Sequence, residues 1–163
     1  MDFKIRKAVV SDSPSILGLI QELATFEREP DAVEVNLQDI EELGFGAAPA
    51  FECWVATLAE EVVGMALFYP RFSTWKGPTL HLEDLIVQEQ HKGKGIGTAL
   101  YQKFIQIAEQ RKLRRVEWVV LDWNTPAVEF YKKSGADVLD DWRTVQMDLE
   151  TMRNYIRQNH ESI

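Results

Sequence analysis

The chain reads as a mixed α/β domain, and three observations carry that reading. Apolar residues recur at period two in some stretches and at helical spacing in others, in the order strand, two helices, three strands, helix, strand, helix, two strands. Two strand-like runs flank Ala59-Glu60-Glu61 as an antiparallel hairpin. A further apolar run leads into a glycine-rich turn with a long amphipathic helix directly behind it. That order predicts a mixed α/β fold.

Residues 3–8 alternate apolar and basic side chains, as a first strand does. Asp12-Ser13-Pro14 is a helix start, with a capping side chain and a proline in the first turn. Ile16, Leu19, Ile20, Leu23 and Phe26 then fall on one helical face, and Pro30 follows the end of that helix. Asn36 caps a shorter helix through Leu37, Ile40 and Leu43, stopped by Gly44. Residues 51–58 and 62–68 are the hairpin strands, 72–77 a loop and 79–87 the next strand. The helix behind the glycine turn carries Ile96, Leu100, Phe104, Ile107 and Ala108 to about Arg111. Residues 115–120 form a strand, and Thr125-Pro126 opens a helix ending at Ser134-Gly135. Residues 137–139 and 143–148 close as two strands, and 150–159 form a helix or an arm.

With 163 residues, 45% apolar and 27% charged, the sequence fits one ordinary globular domain over residues 1–163. A net charge of −8, from 18 basic and 26 acidic residues, argues against nucleic acid as a partner. It suits a cationic small substrate. One cysteine, Cys53, excludes an internal disulfide framework and a cysteine-rich zinc site. No run approaches membrane-spanning length, and the first residues do not begin a signal peptide, so a cytoplasmic protein with no membrane partner is expected. His81, His91 and His160 lack partners at ligand spacing, so no metal is expected.

The turn His91-Lys92-Gly93-Lys94-Gly95-Ile96-Gly97-Thr98 suits a phosphate group. Glycine lets another molecule approach the main chain, and free N–H groups at a helix start add partial positive charge. A P-loop needs Lys-Ser or Lys-Thr after its last glycine, whereas Thr98-Ala99 follow Gly97. The dinucleotide fingerprint fails too, because its third glycine falls on Thr98 or on Leu100. A glycine turn without a ligand stays open. The third candidate is the pyrophosphate loop of the GCN5-related N-acetyltransferases, which Lys92–Gly97 resembles, with Lys92 where Arg or Gln usually stands. That departure gives up bidentate contact and keeps the cation.

Two more stretches extend the resemblance over residues 5–148. Asn124-Thr125-Pro126-Ala127-Val128-Glu129-Phe130-Tyr131-Lys132-Lys133-Ser134-Gly135-Ala136 is similar to the Asn…Phe-Tyr-x-x-x-Gly-Ala segment of these enzymes. Leu82-Glu83-Asp84 and Gly44-Phe45-Gly46 resemble the diamine acetyltransferase branch, which acts on polyamines such as spermidine and spermine or on thialysine. Ser73-Thr74-Trp75-Lys76-Gly77 and Leu121-Asp122-Trp123-Asn124 are more similar to the thialysine side of that branch. Ser73 stands where the polyamine enzymes carry a substrate-holding aspartate.

The resemblance implies the acyl-CoA N-acyltransferase fold, a central, mostly antiparallel, twisted sheet flanked by helices, and acetyl transfer from acetyl-CoA to a primary amine of a small cationic substrate, a thialysine-like or lysine-like amino acid first and a polyamine second. It gives Glu83 as amine binder and base, and Tyr131 as the acid for the departing thiolate. Leu85, Ile86 and Val87 would meet the pantetheine arm, Lys92, Gly93, Lys94, Gly95, Ile96, Gly97 and Thr98 the pyrophosphate, and Asn124 the cofactor arm. Phe26, Glu27 and Trp75 would line the amine site, with Arg71 and Lys76 near enough to meet a substrate carboxylate. Each role has a plainer counterpart: a solvated strand carboxylate for Glu83, a packed aromatic for Tyr131, a helix-end glutamate for Glu27, a loop cap for Trp75. In a regular strand Glu83 and Asp84 face opposite sides, so only one would face the site, and His81, two residues from Glu83, shares its face as a candidate to tune it. Cys53 lies in an apolar strand and is expected to be inert, which favours direct attack by the amine. A non-catalytic coenzyme A-binding or partner-binding module is the reading from another class. The resemblance also implies a homodimer, for which Met147, Leu149, Met152 and Tyr155 are candidate contacts.

Overall fold

A computed structural model describes residues 2–158. The chain divides into two compact units, one ending at Leu121 and one beginning at Asp122.

The first unit holds a five-stranded sheet in the order β1-β2-β3-β4-β5. These are β1 Lys4–Lys7, β2 Glu52–Leu58, β3 Glu61–Ser73, β4 Gly77–Val87 and β5 Val116–Glu117. The first four are antiparallel neighbours, and β5 lies parallel to β4. Ala59 and Glu60, both at positive φ (47° and 69°), join β2 to β3, the geometry of a tight two-residue hairpin. Residues 72–77 do not form the expected loop. The hairpin ladder continues to Ser73↔Gly77, so only residues 74–76 turn. Ser73 closes that turn, its Oγ accepting the N–H groups of Trp75 and Lys76, both at 3.2 Å.

Helices α1 (Ser13–Phe26) and α2 (Leu37–Phe45) cover one face, where Ile16, Leu19 and Ile40 pack on Cys53, Val55, Met65, Leu67 and Ile86. Helix α3 (Ile96–Gln110) covers the other, burying Leu100, Phe104 and Ile107 on Phe68, Leu80 and Leu82, with the Phe68 and Phe104 rings 5.2 Å apart. Asn36 caps α2 through a reciprocal pair with Asp39. Gly44 on α2 lies against the Phe51 ring, which would have to shift to admit a Cβ 2.6 Å from it. Arg6 pins β1 to the start of α1 by a two-armed pair with buried Asp12, at 2.6 and 2.8 Å.

Strand β4 is not regular. Leu67 pairs with Asp84 and Phe68 with Leu82, so Glu83 is an extra residue, a β-bulge. The inserted residue inverts the alternation. Leu80 and Leu82 before it, and Leu85 and Val87 after it, all join the α3-side core, while Ile86 joins the α1 side. The expectation that Glu83 and Asp84 face apart rested on a regular strand and is corrected by this bulge. Pairing of β4 with β5 covers only Leu80↔Val116 and His81↔Glu117, which leaves β4 from Leu82 onward without a strand neighbour on that side among the described residues. The expected strand over 115–120 shrinks to Val116–Glu117 accordingly.

In the second unit, α4 (Thr125–Lys133) is capped by Asn124 and ends at Gly135, whose φ of 92° suits glycine. Helix α5 (Leu149–Gln158) starts on Asp148, whose carboxylate accepts the Thr151 N–H at 2.7 Å. It confirms a helix over the described part of residues 150–159, Asn159 lying outside. Residues 137–139 and 143–148 are not strands. Their apolar spacing suits a strand, but no described strand pairs with them, and a strand exists only through its neighbour.

Candidate active site

The site in the first unit is built where β4 bulges and the glycine turn begins. Glu83 on the bulge is half-exposed at its side chain and lies 3.6 Å from His81, Oε2 to Nε2. Asp84 is largely buried beside it. Burial first, then the charges of Glu83 and Glu27, push its carboxyl up to about 7. Glu27, just past α1, is raised as well, by desolvation and then by Glu83. Three carboxyl groups from two elements thus share one local field, an arrangement that attracts a cationic amine and destabilises itself without one.

Tyr69 faces His81 across the hairpin, their rings stacked at 5.1 Å between centroids. Burial, the Glu83 charge and a hydrogen bond to Glu83 raise its phenol. Neither Asp84 nor Tyr69 was legible as a site residue from strand spacing. Asp84 needed the bulge, and Tyr69 needed the hairpin register that sets it opposite His81.

Beyond β4 the chain turns through Gly93 and Gly95 at φ of 74° and 80°, conformations that side chains rarely adopt. A Cβ at either glycine would meet nothing within 4 Å, so the turn presents open backbone. Gly95 caps α3 with no side chain bonded to the first N–H groups. Ile96, Gly97 and Thr98 therefore begin a fifteen-residue helix with donors available to an anion. Lys92 is engaged: its ammonium pairs with Glu89 and lies 4.9 Å from the centre of the Phe26 ring. Lys94 reaches the Gln90 carbonyl and His91 Nδ1, both at 3.1 Å. The Glu22 carboxylate accepts the Glu89 N–H at 3.0 Å, so α1 and the glycine turn are tied together next to Phe26 and Glu27.

Leu85, Ile86 and Val87 lie on the part of β4 that β5 leaves unpaired, where main-chain groups remain for a ligand to bond. Trp75 is strongly exposed at the β3–β4 turn. Arg71 pairs with Glu117 instead of standing free for a substrate carboxylate. Cys53 is buried and its thiol is pushed up to about 12 by desolvation, so no thiolate forms near neutral pH. In the second unit Tyr131 is buried on α4, its ring edge-on to Phe130 at 5.5 Å, and the Asn124 side chain accepts the Ala127 N–H. Among the described residues no three His, Cys, Asp or Glu groups gather as a metal site, and no helix is long and apolar enough to cross a membrane.

The chain belongs to the acetyltransferase (GNAT) family, whose model matches residues 16–136. It is 35% identical over 160 residues to a thialysine N-epsilon-acetyltransferase of Bos taurus, covering 91% of this chain and 94% of that one. It is 35% identical over 141 residues to spermidine/spermine N(1)-acetyltransferase-like protein 1 of Homo sapiens, covering 82% of this chain and 20% of that longer protein. A solved integron cassette protein from the mobile metagenome of V. cholerae shares the fold at a TM-score of 0.78 and 22% identity, over 96% of this chain and 99% of that one.

Proposed function

We propose that this acetyltransferase moves the acetyl group of acetyl-CoA to the side-chain amine of a lysine-like amino acid such as thialysine, by direct attack. The observation that carries the reading is the convergence of Glu27, Glu83 and Asp84 at the unpaired end of β4, directly before the glycine cradle. The similarity to the Bos taurus thialysine enzyme supports this choice of amine.

An alkyl ammonium has a pKa of about 10.4, so roughly one amine in a few thousand is a nucleophile at pH 7. Glu83 takes the proton, directly or through a water, while Glu27 and Asp84 attract the ammonium. The freed nitrogen adds to the thioester carbonyl, the C–S bond breaks as Tyr131 protonates the leaving thiolate, and the nitrogen's second proton restores the Tyr131 phenol. The net products are the N-acetyl amine, coenzyme A with its thiol restored, and one proton. Main-chain groups of Leu85, Ile86 and Val87 hold the pantetheine arm, and Asn124 contacts the cofactor arm. The N–H groups of Gly93–Thr98 hold the pyrophosphate, with Lys92 and Lys94 supplying charge around it. Phe26 and Trp75 cover the substrate's alkyl chain. The buried, unionised Cys53 supports direct attack over an acyl-cysteine route.

This reading takes residues 1–163 as one catalytic domain in a cytoplasmic homodimer. The dimer is supported by apolar side chains left exposed in the second unit, among them Met147, Leu149, Met152 and Tyr155. A second reading, polyamine acetylation, is favoured by two observations: Glu117 holds Arg71, the cation best suited to a substrate carboxylate, and three carboxyl groups suit a polycation. Thiol release from acetyl-CoA over thialysine, lysine, ornithine, spermidine and spermine decides. Faster turnover of the amino acids is expected, far faster spermidine turnover selects the second reading, and no turnover of any amine leaves a binding module.

A further inference from the structure

We propose that His81 is a positioning residue for the acetyl transfer: its Nε2–H, together with the Tyr69 hydroxyl, holds the Glu83 carboxylate in the orientation that receives the amine proton. The inference rests on Glu83 being the base. It adds how a carboxylate on a bulge, half-exposed and with like charges beside it, keeps one orientation.

Three observations converge. His81 Nε2 faces Glu83 Oε2 at 3.6 Å, within reach of a hydrogen bond after a small turn of the carboxylate; such contacts are often long before substrate binds. His81 cannot swing away, because its ring stacks on Tyr69 across the hairpin and its side chain is 12% exposed. Its Nδ1 is buried without a hydrogen-bond partner, so a hydrogen there would be an unsatisfied buried donor. The ring hydrogen therefore belongs on Nε2, the atom aimed at Glu83. The Tyr69 phenol, stacked on His81, is raised by the same carboxylate through its charge and hydrogen bonding. Two donors on neighbouring strands thus face one acceptor on the bulge, leaving its remaining lone pairs for the incoming ammonium.

The test compares His81→Phe, which keeps a ring on Tyr69 and lacks the N–H, with His81→Gln, whose amide can reach the place of Nε2. For H81F, kcat falls about tenfold with the KM for acetyl-CoA unchanged, the scale of a slightly misplaced catalytic group. H81Q recovers kcat to within about threefold of the parent, although Gln cannot stack. In a Glu83→Gln background H81F lowers kcat no further. Equal kcat in H81F and H81Q, per folded molecule, marks a structural role only and overturns the proposal, as does a full tenfold loss retained in the Glu83→Gln background. An E83Q enzyme with undiminished kcat overturns the base assignment itself and this inference with it.

Discussion

Replacing Asp84 by asparagine should make the protein more stable above neutral pH and less active. The folded chain holds the Asp84 carboxyl at about 7, against 3.8 for the free group, by burial and by the charges of Glu83 and Glu27. Between those values the folded state binds more protons than the unfolded one, so the stability contributed by this group falls as pH rises. The penalty is absent below the unfolded value and complete above the folded one. A gap of roughly three units at 1.36 kcal/mol per unit sets an upper limit of about 4 kcal/mol, and relaxation around the charged form brings the expected gain of D84N to about 2–4 kcal/mol at pH 8. Urea unfolding of parent and variant from pH 4 to pH 8.5 reads this directly. The two stability curves should converge near pH 4, draw apart as pH rises toward 7, and run parallel above it. Curves that run parallel over the whole range would refute a shifted Asp84, whatever their offset. The amine KM of D84N should rise over the same alkaline range, where the lost charge matters.

Other consequences follow from single positions. Gly95→Ala, at φ 80° in an otherwise open turn, should leave the melting temperature within a few degrees while weakening coenzyme A binding about tenfold or more by calorimetry, since the strain falls on the cradle itself. Cys53→Ala should retain most of its turnover, and the parent thiol should react with a disulfide reagent at the rate of unfolding rather than of exposed cysteine. Phe104→Ala empties the centre of the α3-side core and should cost about 3–5 kcal/mol in denaturant titrations. Arg6→Ala strands the buried Asp12 carboxylate, which its guanidinium holds below the usual range, and should lower stability at pH 7, with the loss shrinking as acid protonates Asp12 in the folded parent.

Much of this was legible because local chemistry sets it. Glycines 93 and 95 declare a turn whatever surrounds them, Asn36 and Thr125-Pro126 declare helix starts, and the 3.6-residue spacing from Ile96 to Ile107 declares a buried helical face. What depends on a partner strand was not legible. The bulge at Glu83 shows only when Leu67 and Phe68 are set against β4, and without it Asp84 is sent to the wrong side. The hairpin extending to Ser73, the shrinkage of β5 and the unpaired segment over 137–148 have the same origin, since a ladder belongs to two strands. The acidic site was half legible: Glu83 and Glu27 through the family pattern, Asp84 and Tyr69 only through the fold.

The central claim is that the backbone between Gly93 and Thr98 grips the pyrophosphate of coenzyme A just beyond the carboxylates of β4. A crystal structure of the protein with coenzyme A tests it most directly. Phosphate oxygens should lie about 2.7–3.2 Å from the main-chain nitrogens of this turn, with the pantetheine arm along Leu85–Val87. Coenzyme A bound elsewhere, with the turn free of phosphate, would contradict it.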